Sequence, residues 1–334
     1  MNSRERFLAA LRGEKPDRTP LAYVSAMTNV ELQEATGCFL PEAHLDPEML
    51  VRLCGASHEL LGFDGVTFAL NYFNEPAALG CAISWGNREE LPVYTSHPWR
   101  SREDAVIPGD LLDRSPISIN LEALRIAKRT YGREVAILGK VMGPFSMTQV
   151  MQGVEKTMLG SIDDPQTLRY FLEVSSEILV RCANAQFEVG IDALAIGEGG
   201  AGASMLSPLM YEELLADIHR RMIARIQGPT IMHICGDITP RLDSLAQVGF
   251  TVFNFDWAID PRLMKKKAAG LFRIMGNINT TDLLQASPEV IEAQVFRSLE
   301  AGTDMISPGC AISPRCPSRN LRAMAAAIRK WFDR

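Results

Sequence analysis

The chain has 334 residues, 47% of them hydrophobic and 22% charged, and its 34 Lys and Arg against 40 Asp and Glu leave a net charge of −6. That balance, with no basic run longer than Lys265-Lys266-Lys267, argues against nucleic-acid binding, and no apolar run is long enough to span a bilayer. The seven cysteines are odd in number and scattered, which fits free thiols in a reducing cytoplasm better than a disulfide framework.

The first residues, MNSRERFLAALRG, read as a short amphipathic helix capped by Asn2 or Ser3, without the apolar core and cleavage site of a secretory signal. Short apolar runs then alternate with longer helical patterns, as in a parallel sheet with crossover helices. The predicted strands are Leu21–Ser25, Gly65–Leu70, Val135–Val141, Ala193–Ile196, Thr230–Ile234, Thr251–Phe255, Phe272–Met275 and Asp304–Ile306. Amphipathic stretches such as Pro208–Ile226, Thr239–Val248 and Pro288–Ala301 fall between them, and Pro317–Phe332 supplies a closing helix. Eight strand–helix units predict a single (β/α)8 TIM barrel over residues 1–334, with an open doubly wound sheet as the alternative. Between Asn71 and Leu112 no strong helix pattern occurs; CAISWG and LPVYT predict a hairpin excursion.

The fifth predicted strand, PTIMHICGD, places His233 and Cys235 two apart, on one face and at the C-terminal end, where barrel sites are built. The eighth, TDMISPGC, leads into Cys310 at another C-terminal end. One imidazole and two thiolates make a good zinc set, since zinc is borderline-soft and takes N and S ligands. A His-x-Cys pair alone reads equally well as a core histidine beside a small buried thiol; the late Cys310 shifts the balance toward metal. Asp256, ending the sixth predicted strand, is the candidate for a fourth, exchangeable ligand. Cys316 competes with Cys310 but lies further past its strand, and Cys38, Cys54, Cys81 and Cys182 read as structural. Asp237 either orients His233 or caps the following helix. Glu198, in GEGG after the fourth predicted strand, is either a rim residue or an ordinary loop acid. Asn277 and Asn279 either donate hydrogen bonds to a substrate or serve the turn. The glycines of GEGGAG do not match a dinucleotide fingerprint.

Gly143-Pro144-Phe145 is similar to the GPF motif of the uroporphyrinogen decarboxylase superfamily of barrels. Within it, PEAHLDPEM (41–49), MHICGD (232–237), GNINTTDLL (276–284) and ISPGCAISPRCP (306–317) resemble the methylcobamide:coenzyme M methyltransferases of methylotrophic methanogens and their bacterial relatives. The similarity runs over nearly the whole chain. The resemblance implies zinc on His233, Cys235 and Cys310, with Asp256 at the position of a further carboxylate ligand. It implies an acceptor thiol, with coenzyme M foremost, that displaces Asp256 and takes the methyl group of a methyl-corrinoid. That corrinoid is expected from a partner protein, because the chain has no Asp-x-His-x-x-Gly signature, and residues 71–98 are placed to frame its docking. Glu198 then positions the acceptor or the corrinoid, and Arg315 is the cation expected near a sulfonate. A folate acceptor, a methylated substrate as donor, and a non-catalytic zinc-binding barrel are the alternatives. A true decarboxylase is disfavoured: the stretch from Thr19 to Val51, where that activity needs an Arg-rich segment for a polyanionic substrate, contains no Lys or Arg.

Overall fold

A computed structural model describes residues 1–25, 28–70 and 72–334; Asn71, the first residue of the expected excursion, lies outside the described residues. The strands among them are β1 (Gly65–Thr67), β2 (Ile83–Ser84), β3 (Val93–Tyr94), β4 (Ala136–Met142), β5 (Ala193–Gly197), β6 (Thr230–Ile234), β7 (Val252–Phe255), β8 (Arg273–Ile278) and β9 (Met305–Pro308). Seven of them form one parallel sheet in the order β1-β4-β5-β6-β7-β8-β9. The first predicted strand is reduced to two bridges, Leu21 to Ile306 at one sheet edge and Ala22 to Gly65 at the other. Among the described residues no ladder follows them, and the Tyr23 carbonyl accepts the Thr67 hydroxyl at 2.5 Å. β2 and β3 pair antiparallel, Ile83 with Tyr94 and Ser84 with Val93, which is the hairpin that CAISWG and LPVYT predict.

Alternation along each strand sorts side chains to two faces. One face supplies a core of mostly small residues, including Ala22, Val24, Ala136, Leu138, Ala193, Ala195, Ile231, Val252, Met275 and Met305, with Phe7 packed among them. The N-terminal helix Ser3–Arg12 delivers Phe7; Asn2 caps it, in a reciprocal pair of hydrogen bonds with Glu5. The other face packs against the crossover helices in a larger core. Two residues further along the inner face of successive strands stand Lys140, Gly197, His233, Asn254, Asn277 and Ser307. The inner face therefore changes from apolar to polar toward the strand C-termini.

Beneath that core, the fully buried Asp64 carboxylate meets Arg6 at 2.8 Å and Arg18 at 2.9 Å and accepts the Leu21 N–H at 2.9 Å. Around the sheet, the stretch predicted as one helix over Pro208–Ile226 contains a wide π turn at Glu212–Ala216. Among the described residues no helix is long and apolar enough to cross a membrane.

Candidate metal centre

His233 ends the inner face of β6, and its Nδ1 lies 3.1 Å from the carbonyl oxygen of Asn254 on β7. A carbonyl only accepts, so Nδ1 carries the proton and Nε2 keeps its lone pair. Nε2 lies 3.2 Å from Cys235 Sγ, which lies 3.5 Å from Cys310 Sγ. The three ligand atoms fall within 4.8 Å of one another, and among the described residues no other group of His, Cys, Asp or Glu meets that condition. Cys310 is held from the opposite side of the sheet: Tyr23 Oη accepts the Ile312 N–H at 2.9 Å. The Asn254 amide donates to Met275 O and Ser307 Oγ, both at 3.3 Å, so the residue that fixes the imidazole is itself fixed.

The electrostatics suit a metal. Hydrogen bonding with Cys310 and burial push the Cys235 thiol up, while the same contact, aided by His233, draws Cys310 down. Burial works against a charged His233, but the hydrogen bond and charge of Cys310 outweigh it and the imidazole is raised. A soft divalent cation fits these donors, taking two sulfurs and the Nε2 lone pair.

A cavity of about 270 Å³ opens beside these atoms, bordered by Tyr72, Tyr94, Met142, Gln149 and the Gly199-Gly200 turn among others. Gly197 has no side chain because Tyr72 occupies the space: a Cβ there would lie 2.5 Å from Tyr72 Cε1. A larger groove of about 570 Å³ runs over the outer helices between Glu59 and Arg329 and contains none of the three ligand atoms.

The other predicted residues fall around this group rather than in it. Asp256 is buried, with one oxygen accepting the Gly236 N–H at 3.1 Å and the other the Ala258 N–H at 3.0 Å. It thereby fixes the turn after Cys235. Asn277 donates to Ile259 O at 2.8 Å and holds the loop that follows Asp256. Glu198 is fully buried, with Oε1 accepting the Phe145 N–H at 2.7 Å, so it braces the Gly143-Pro144-Phe145 step instead of facing the cavity. Gly143 is required there, since a Cβ would overlap Glu198 Oε2. Asp237 accepts the Thr239 N–H at 3.0 Å and Asn279 the Thr281 N–H at 2.8 Å, both as turn caps. Arg315 is exposed and paired with Glu89 at 2.9 Å. Cys316 turns away, its thiol on the Leu283 carbonyl at 3.1 Å. Sequence reasoning missed Tyr72 and the buried Lys140; a lysine inside the apolar run VAILGKVM was the available signal.

A sequence model of the family described as Uroporphyrinogen decarboxylase (URO-D) matches residues 2–331. The chain is 32% identical over 332 residues to the Methylcobamide:CoM methyltransferase MtaA of Methanosarcina barkeri (strain Fusaro / DSM 804), covering 98% of this chain and 97% of that protein. It is 28% identical over 331 residues to the Methylated-thiol--coenzyme M methyltransferase of Methanosarcina mazei, covering 99% and 90%. A solved methyltransferase from Methanosarcina mazei superposes with a TM-score of 0.96 at 31% identity, covering 99% of both chains.

Proposed function

The chain belongs to the uroporphyrinogen decarboxylase (URO-D) family, on the branch of the methylcobamide:CoM methyltransferases, and from that premise we propose that it is a zinc-dependent methyltransferase moving a methyl group from a methyl-corrinoid protein to a thiol, with coenzyme M the leading acceptor. It works as a single cytoplasmic (β/α)8 domain over 1–334, in which the Leu21–Ala22 bridges stand for the eighth strand. The observation that carries this reading is the convergence of His233 Nε2, Cys235 Sγ and Cys310 Sγ within 4.8 Å beside a small cavity.

His233, Cys235 and Cys310 would hold the zinc. Bound there, zinc supplies thiol activation, keeping an acceptor sulfur deprotonated at neutral pH. The rest is done by the chain. Asn254 holds the His233 tautomer, and Asp256 holds the Cys235 turn. Tyr72, Tyr94 and Met142 exclude water around the acceptor. The new sulfur–carbon bond forms as the donor's cobalt–carbon bond breaks, and the electron pair of that bond stays with the corrinoid. A cavity of about 270 Å³ suits a small thiol and cannot enclose a folate. A methylated thiol as original donor is the second reading, favoured by the relative named for that substrate.

The test is methyl transfer from methylcobalamin to coenzyme M by the purified chain. Expected are methyl-coenzyme M formation, loss on treatment with a strong chelator, and recovery on adding zinc. Equal rates with and without metal would remove the basis of the proposal.

A further inference from the structure

Among the described residues no Lys or Arg borders the cavity beside the three ligand atoms, and Arg315, the cation expected from the sequence, is exposed and paired with Glu89. One cation does lie beneath it. Lys140 stands on the inner face of β4, two residues beyond Leu138 of the small-residue core. Its main chain is clamped by a buried side chain: its N–H donates to Gln186 Oε1 at 2.8 Å and its carbonyl accepts Gln186 Nε2 at 2.9 Å. The residue is 3% exposed, and among the described residues Nζ has no hydrogen-bond partner. Nζ lies 3.3 Å from the centroid of the Tyr72 ring, and that ring borders the cavity.

A buried ammonium without a hydrogen bond is costly to keep. Burial pulls Lys140 down to about 7, opposed by the charge of Glu75, which burial itself pushes up to about 7. The two side chains are not hydrogen-bonded to each other, and an anion beyond Tyr72 favours the charged form of Lys140. Its charge is felt through Tyr72, where an ammonium under one face offsets the negative quadrupole of the other.

Resting on the thiol-acceptor reading above, we propose that Lys140 is the specificity-determining cation of the acceptor site, selecting a short thiol whose far end carries a sulfonate or carboxylate. The anionic end lies against the cavity face of Tyr72, and the sulfur lies at His233, Cys235 and Cys310. Across one ring thickness in a water-poor site, the attraction is worth on the order of tenfold in affinity. The cavity volume of about 270 Å³ limits the acceptor to a few heavy atoms and excludes peptide-sized thiols.

Calorimetric titration of the zinc-loaded full chain with ethanesulfonate tests this without any reaction, since the probe has no thiol. The wild type binds it saturably, and Lys140→Met binds it at least about tenfold more weakly. Methionine conserves volume and removes an unpartnered buried charge, so the variant keeps its fold. With methylcobalamin as donor, the ratio of kcat/KM for 2-mercaptoethanesulfonate over 2-mercaptoethanol falls in Lys140→Met by about the same factor; 3-mercaptopropionate in place of the sulfonate separates the two anion types. No ethanesulfonate binding by the wild type, or an unchanged ratio in the variant, overturns the proposal. Ethanesulfonate binding with no methyl transfer to either thiol overturns the methyltransferase reading alone. Should Lys140→Met fail to fold, the wild type suffices: ethanesulfonate must compete with 2-mercaptoethanesulfonate, and 1-propanol must not.

Discussion

His233 is committed to a carbonyl at one ring nitrogen and turned toward sulfur at the other, and that asymmetry suits it to the proposed ligand role. The Asn254 carbonyl takes the Nδ1 proton, and two sulfurs face Nε2. Removing one of three protein donors from such a set should abolish stable zinc binding. Cys310→Ala is therefore expected to purify with less than about a tenth of the wild-type zinc, with methyl transfer reduced by about two orders of magnitude or more. Asp256→Asn keeps a side chain that still accepts the Gly236 and Ala258 N–H groups in part. It should lower zinc affinity by only about tenfold. Metal analysis and competition against a chromogenic chelator read both; equal losses would make Asp256 a ligand of the same rank as Cys310. The His-x-Cys pair and Cys310 were legible because alternation along a strand and the shared rim of a barrel are simple rules. For Asp237 and Asn279 the capping reading was one of two the sequence left open; the partners of Glu198 and Arg315 were not legible, because each depends on which backbone N–H or surface partner lies nearest, and spacing does not encode that.

The segment 41–49 carries His44 on a short turn, Glu42–His44, against Trp85 just after β2, with ring centroids 5.5 Å apart. His44 is buried with neither ring nitrogen hydrogen-bonded, and burial lowers its pKa from 6.5 to about 4. Above pH 6.5 it is neutral whether folded or unfolded and has no effect on stability. As pH falls from 6.5 toward 4 the unfolded chain takes up a proton that the folded chain refuses, so stability is lost, by about 3 kcal/mol at the lower end. Urea unfolding of the wild type and His44→Leu over that range is the measurement, and the two curves should diverge by that amount. Parallel curves would place the acid sensitivity elsewhere. The hairpin itself was legible from two short extended runs. The π turn at Glu212–Ala216 was not, since an inserted residue leaves the apolar pattern of Pro208–Ile226 nearly intact.

At the scale of the molecule, the end of the sheet remote from the metal centre is fastened by charge. Asp64 has no exposure, and it joins Arg6 of the N-terminal helix, Arg18 and the Leu21 N–H just before β1. Asp64→Ala leaves Arg18 without its carboxylate and Arg6 with Asp17 alone, removes the acceptor of the Leu21 N–H, and should cost about 3 kcal/mol in urea unfolding. Zinc content should hold in the folded fraction, because the ligands sit at the opposite strand ends. Loss of zinc without loss of stability would contradict that separation. Seven strands were legible to within three residues at either end, as the alternation of apolar runs with helical patterns is strong in a parallel sheet. The remaining run, Leu21–Ser25, was read as a full strand because its apolar residues satisfy the pattern, whereas its hydrogen bonds go partly to the Thr67 side chain.

Among the described residues only the single bridges of Leu21 and Ala22 pair one edge of the sheet with the other, helped by the Thr67 hydroxyl on the Tyr23 carbonyl, and Tyr23 grips the loop that bears Cys310. Every other neighbouring pair in the sheet shares at least three paired positions. The sheet's closure is thus thinnest at the point where Tyr23 meets the loop of Cys310, so the placement of that thiol beside His233 and Cys235 depends on a joint of few hydrogen bonds.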